Sequence, residues 1–330
     1  MIRFFLDNDI VSVTALLVYT ALIKAYVLFS PNLYQPNVLD SFIGHYIFSF
    51  GSNALIWQYA LTVLFIFTQA LQINALANDN RMYYSRSSLA GLFYVLLTSI
   101  VPEYMLLSPA LVGMSFVLFA IQNVYEVYKK VNALNYIFNA ALLISLASVF
   151  YPPYIILLIA VFVELHILRS FSFKEQLQYI VGYLSLIWIV GVILYYFDVL
   201  SFDFFDSIRL GGSIELFIIS DFIDLVALLV ICCLLLFVLL NYYSYQKKKE
   251  VHARKKIDFL YWLFLFSLID LLIFKDILPN YIVFLIFPLS ILLAISMGSV
   301  KKIRRIELFH LLLLALVLFV QYNHLFAVEI

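Results

Sequence analysis

Charge is what this chain has least of. Asp, Glu, Lys and Arg make up only 12% of its 330 residues, about half of the roughly 25% with which a soluble domain covers its surface. Leu, Ile, Phe and Tyr fill the gap, giving 65% hydrophobic residues and a mean hydropathy of +1.04. Such a surface is stable only under lipid. No stretch much beyond about twenty residues is free of apolar runs, so the expectation is a single integral membrane domain over residues 1–330 with no separate soluble part. Cysteine is scarce too. Cys232 and Cys233 are adjacent within an apolar run, which excludes a disulfide framework and a C-x-x-C zinc site and reads as packing. Nucleotide signatures are missing: there is no G-x-x-x-x-G-K-[ST] and no G-x-G-x-x-G, nor is there H-E-x-x-H or G-x-S-x-G. ATP hydrolysis within the chain is thereby excluded, and no cofactor is expected.

Apolar runs are what the chain has most of. A span needs about twenty apolar residues, fewer where it is short or broken. The runs predict an all-α bundle of about eleven helices. They fall at 10–30, 53–75, 89–101, 105–121, 133–149, 154–168, 177–197, 216–242, 259–274, 281–297 and 306–321. The first contains Lys24 and lacks an A-x-A cleavage site, which fits an uncleaved span better than a signal peptide.

Basic residues fix the orientation. With the N-terminus in the cytoplasm, the inner loops carry Arg3, Arg81, Arg86, Lys129, Lys130, Arg169, Lys174, Lys247–Lys249, Arg254–Lys256, Lys301, Lys302, Arg304 and Arg305, which is 17 of the 20 Lys and Arg residues. Only Lys24, Arg209 and Lys275 fall elsewhere, and the outer loops are acidic, with Asp40, Glu103, Asp198, Asp203, Asp206, Glu215 and Asp276. An odd number of spans then leaves the C-terminus outside. The expected location is a bacterial inner membrane. The run holding Lys247, Lys248, Lys249, Arg254, Lys255 and Lys256 could bind nucleic acid in a soluble protein. Beside a membrane helix it is expected to contact anionic lipid headgroups, with no nucleic-acid partner.

Three tight outer turns share the pattern P-x-Y: Pro102-Glu103-Tyr104, Pro152-Pro153-Tyr154 and Pro279-Asn280-Tyr281, the first two being 50 residues apart. Proline stops a helix and tyrosine suits the membrane interface, so short Pro-turned helical hairpins are expected. Either convergence on one device or duplication of a two-helix unit would produce them, and internal repeats are common in transporters.

An ionisable residue in mid-membrane costs about 2.5–3.5 kcal/mol on insertion scales and needs a role. Lys24, Asp221, Asp224 and Asp270 all fall towards the outer ends of their helices, where they could form one intramembrane cluster. On the inner side, Glu164 and His166 precede Arg169. Glu307 and His310 have Glu-x-x-His spacing, but a carboxylate metal site needs a second copy, so snorkelling to the interface is the expectation. His45, His166, His252, His310 and His324 divide between the two sides, and no shared metal is expected. Two outer loops are long. One holds Asp40 and reads as an amphipathic or re-entrant segment. The other holds Arg209 beside Gly211 and Gly212, a placement that points to an anion such as phosphate.

Residues 147–197 carry a resemblance. Phe150–Pro152 precedes an apolar helix, then come Arg169–Phe171, the Lys174–Glu175 pair, and a helix with Gly182 near its start. This pattern resembles an uncharacterised family of multi-helix inner-membrane proteins of Bacteroidota. The resemblance implies location and topology but brings no catalytic residues.

Three functions are compatible with these features. The first is transfer or processing of polyprenyl-phosphate-linked sugars at the periplasmic face. Multi-helix glycosyltransferases and glycan polymerases resemble this chain in their short broken helices and in an acidic residue in the first outer loop. Asp40 is then the candidate catalytic base, and Arg209 the group that holds the lipid phosphate. The second is a proton- or solute-coupled transporter using Lys24, Asp221, Asp224 and Asp270. The third is a non-catalytic subunit or scaffold, partnered by other envelope membrane proteins.

Overall fold

The computed structural model describes residues 2–7, 9–28, 55–83, 86–100, 104–128, 130–196, 222–242, 249–273, 278–300 and 302–326. Within them the chain is all-helical. A single turn, α1 (Arg3–Leu6), precedes α2 (Ile10–Lys24), α3 (Leu55–Asp79), α4 (Leu89–Thr98), α5 (Pro109–Glu126) and α6 (Leu134–Phe150). Then follow α7 (Ile156–Leu168), α8 (Phe173–Tyr196), α9 (Phe222–Leu240), α10 (Val251–Ile273), α11 (Leu278–Gly298) and α12 (Ile303–Phe326). Helices α2 to α12 coincide one for one with the eleven predicted runs, and the chain is a polytopic membrane helix bundle. Ile10–Leu28, Leu55–Asp79 and Phe173–Tyr196 are each long and apolar enough to cross a bilayer alone.

The centre is the pair α4 and α11. Every residue of α4 is buried, as is every residue of α11 from Phe284 to Met297. Around this pair, α3 packs on α4, α10 and α9 pack on α11, and α5, α6 and α8 form a side row in which α6 touches both neighbours. The outer surface is equally apolar. Ile180, Trp188 and Tyr195 of α8 are exposed, and so are Cys232 and Cys233 of α9, which therefore lie on the lipid-facing surface and not in the packed core expected for them.

In lipid, burying apolar area between helices gains little, so association rests on close packing and hydrogen bonds. Small residues mark the close approaches. A side chain at Gly91 of α4 would meet Asn74 and the Ala70 carbonyl of α3, and Gly182 of α8 sits against the Phe138 carbonyl of α6. Neutral polar side chains join the same helices. The Gln69 amide donates to the Leu111 carbonyl at 2.7 Å and to the Ser115 hydroxyl at 2.8 Å, and it accepts from the Tyr94 hydroxyl at 2.6 Å.

One face of the bundle gathers the predicted inner loops. The Ser88 amide donates to the Phe5 carbonyl, and the Ser88 hydroxyl lies 3.0 Å from that of Ser12. Lys256 reaches Asn80 and lies over the Tyr125 ring, and Lys255 donates to the Ile167 carbonyl at 2.9 Å. Arg169 donates to the Lys130 carbonyl at 2.7 Å and pairs with Glu175 at 3.1 Å. Glu175 in turn accepts from the Ser172 amide and hydroxyl, a capping box that starts α8. Residues far apart in sequence but assigned by charge to one side thus meet on one side.

The P-x-Y turns differ in detail. Pro152–Ile155 forms a 3-10 turn leading into α7. Its Tyr154 hydroxyl donates to the Ala110 carbonyl at 2.8 Å and bonds the side chain of Tyr104, the last residue of the first P-x-Y pattern. Pro279-Asn280-Tyr281 lies instead within the first turn of α11, a position where a missing proline N–H leaves no helical bond unmade.

Candidate functional site

The outer-half site is built from a helix that stops early. α4 begins at the basic face and has 10 residues. At 1.5 Å per residue it rises about 15 Å, half of a roughly 30 Å hydrocarbon layer. The Ser99 and Ile100 amides close the last turn onto the Leu96 and Leu97 carbonyls, and the Thr98 and Ser99 carbonyls are left to find partners outside the helix, which in a membrane protein the protein itself must supply.

Lys24, the last residue of α2, does so. It is fully buried, and its amino group donates to the Thr98 and Tyr104 carbonyls, each at 2.9 Å, with the Met105 sulfur at 3.9 Å. From α12, the Gln321 amide donates to the Ser99 carbonyl at 3.1 Å and approaches the same sulfur at 3.8 Å. Half-helix C-termini in membrane proteins commonly hold a bound cation; here a side-chain amino group occupies that place. The Gln321 carbonyl oxygen is buried with no hydrogen-bond partner among the described residues.

None of the ion pairs among the described residues involves Lys24. The side chains of Asp221, Asp224 and Asp270, expected beside it, lie outside the described residues, as do Asp40, His45, Arg209, Lys247 and Lys248. Of the basic run, Lys255 and Lys256 direct their amino groups into the protein, and Lys249 lines a small cavity at the inner face.

Three polar placements were not evident from the sequence. His310 does not snorkel: it is fully buried and shares a 2.8 Å hydrogen bond with the Tyr19 hydroxyl across 291 residues of sequence. Glu164 of α7 is also fully buried, and neither carboxyl oxygen has a hydrogen-bond partner among the described residues. Asn74, which accepts from the Gly91 amide at 2.7 Å, was likewise missed. The signal lay in the polar series Gln69, Asn74 and Asn78, which interrupts an otherwise apolar run.

The sequence profile of a family of unknown function, DUF6427, matches residues 15–328. The chain belongs to this family. No curated protein matches it. Among solved structures, ArnT from Cupriavidus metallidurans bound to undecaprenyl phosphate is similar, with 13% identity and a TM-score of 0.49 over 90% of this chain and 58% of that one. The DUF6427 chain thus spans little more than half of that protein's length.

Proposed function

We propose that this membrane protein transfers or processes polyprenyl-phosphate-linked sugars at the periplasmic face of a bacterial inner membrane. The observation that carries the reading is the interrupted α4. Its end places polar backbone, Lys24 and Gln321 in the outer half of the bundle, and a single turn of chain separates Lys24 from the segment 29–54 that holds Asp40. A lipid-linked substrate needs this combination: apolar surface for the chain and polar groups at the depth of its phosphate.

In this mechanism Asp40 takes the proton from an acceptor hydroxyl as that oxygen bonds to the sugar's anomeric carbon. The bond from that carbon to the phosphate oxygen breaks, and the departing polyprenyl phosphate keeps the electron pair, its charge met by Arg209. The test is mass spectrometry of polyprenyl-linked lipids and surface glycans in cells with and without the gene. The expected result is an accumulated lipid-linked sugar and loss of its glycan product, rescued by the native gene but not by Asp40→Asn or Arg209→Gln. Loss of a catalytic base typically removes about 10²–10⁴-fold of the rate. Unchanged lipids and glycans would refute the proposal and turn attention to a scaffold role, tested by crosslinked recovery of envelope partners.

A second reading, proton-coupled transport, is favoured by Glu164, because a buried carboxyl in a membrane helix is a default proton site. Under it, Glu164→Gln and Asp221, Asp224 or Asp270→Asn abolish rescue of the deletion strain while Asp40→Asn leaves rescue intact. The first reading expects the opposite pattern.

A further inference from the structure

We propose that Glu164 binds a proton in the inner half of the bundle, and that losing it draws Lys256 away from Asn80 and releases the end of α3. The inference concerns the cytoplasmic side and depends on neither function argued above.

Glu164 sits one turn before the inner end of α7, fully buried, with neither carboxyl oxygen bonded among the described residues. A bare carboxylate in such a place costs several kcal/mol even after relaxation, so the group rests there as the neutral acid. The helices packed on α7 are α10, α6 and α5. From α10, the charges of Asp258, Lys255 and Lys256 act on Glu164. From α5, Tyr125 shares its surroundings. The ionisable residue of α6 is Tyr136, held by Lys130 at 2.6 Å. On α7 itself His166 is exposed, its ring bonded to the Phe162 carbonyl at 2.9 Å.

Lys256 is the other half of the device. It is buried, yet it forms no ion pair among the described residues. Neutral groups hold its amino end: the Asn80 side-chain oxygen and, at 5.2 Å, the Tyr125 ring. The Tyr125 hydroxyl donates to the Lys256 carbonyl at 3.0 Å and fixes the backbone, so the side chain is the part that moves. A buried cation and a buried acid thus lie in one neighbourhood without being paired. That arrangement is stable only while the acid keeps its proton. Asp258 is of like charge and accepts from the Tyr242 hydroxyl at 3.0 Å, so it cannot receive an ionised Glu164. Lys255 is only half-buried and already serves the Ile167 carbonyl at 2.9 Å. Pairing with Lys256 compensates two buried charges at once.

The cost falls on α3. Asn80 follows its last residue, and the Asn80, Arg81 and Met82 amides close the turn onto the Leu76, Asn78 and Ala77 carbonyls. Without Lys256, the remaining ion pair between this turn and the start of α10 among the described residues is Arg81 with Glu250, which is exposed and worth little in water.

The test uses the full-length protein in lipid nanodiscs over a series of pH values. Infrared difference spectra should show a carboxylic-acid C=O band that disappears as the pH rises and is missing from Glu164→Gln. Over the same pH interval, hydrogen exchange at residues 80–82 should quicken about tenfold, the scale of one charge-assisted hydrogen bond. Comparison with Glu164→Gln at each pH cancels the intrinsic pH dependence of exchange, and that variant should show no step. Lys256→Met should exchange fast throughout. The Tm of each variant reports whether it folds, and Glu164→Leu is a second neutral replacement. A band that is absent from the native protein, or that persists until it unfolds in alkali, overturns the proposal. So does a band that titrates while exchange at 80–82 stays unchanged.

Discussion

Replacing Lys24 by methionine is expected to destabilise the folded protein by about 2–6 kcal/mol. Methionine matches the length of the lysine stem and packs as well, so the change isolates the amino group. Its removal leaves two carbonyls, those of Thr98 and Tyr104, buried at a depth where water does not compensate them. Each such orphan costs about 1–3 kcal/mol, and the outward shift of α4 needed to hydrate them would disturb the most buried helix of the bundle. Lys24→Arg keeps donors but overfills the site, for about 1–3 kcal/mol. Unfolding in mixed micelles, followed by tryptophan fluorescence, measures both. A loss below about 1 kcal/mol for the methionine variant would show that α4 ends without help from Lys24.

Gly91→Ala carries the second large effect, about 2–4 kcal/mol. The new methyl group would lie 2.5 Å from the Asn74 side-chain nitrogen and 2.8 Å from the Ala70 carbonyl. The first neighbour can rotate, but doing so breaks its 2.7 Å bond from the Gly91 amide. The second is backbone and moves only if α3 moves. Overpacking contributes about 1–3 kcal/mol, and the lost hydrogen bond about 1 kcal/mol more. Gly191→Ala in α8 is the matched control. Nothing lies within 4 Å of the added carbon there, so helix propensity should give a gain of about 0.5–1 kcal/mol. If both substitutions behaved alike in thermal unfolding, the close approach of α3 and α4 would not be what holds them together.

The helices were legible because lipid imposes one simple demand, length of apolar run, and the loops another, the placement of Lys and Arg. Where bounds shifted, the cause is local. α10 starts at Val251 rather than 259 because its first turns are polar and emerge at the inner face, so an apolar window does not register them. α4 stops at Thr98, where its carbonyls turn to Lys24 and Gln321. The site was only half legible. Lys24 stands out as a lone basic residue in a span, but its partners are backbone carbonyls, which leave no trace in sequence. Gln69 and Asn74 carry no charge and escape a search for ionisable groups. Tyr19 and His310 belong to opposite ends of the chain, and nothing in either segment announces the other.

The brevity of α4 also bears on how the protein is made. Ten residues are too few for the insertion machinery to accept as a segment in their own right, so α4 must enter the bilayer together with α5, as one looped unit, while the ribosome is still working. At that moment only α2 and α3 are in place to shelter it. Its other neighbours, α11 and the α12 glutamine that bonds Ser99, emerge last. The heart of the bundle is therefore laid down early but enclosed only on completion of synthesis, so a nascent chain stalled before residue 278 would present an unsheltered, bare-ended stub to the quality-control proteases of the membrane.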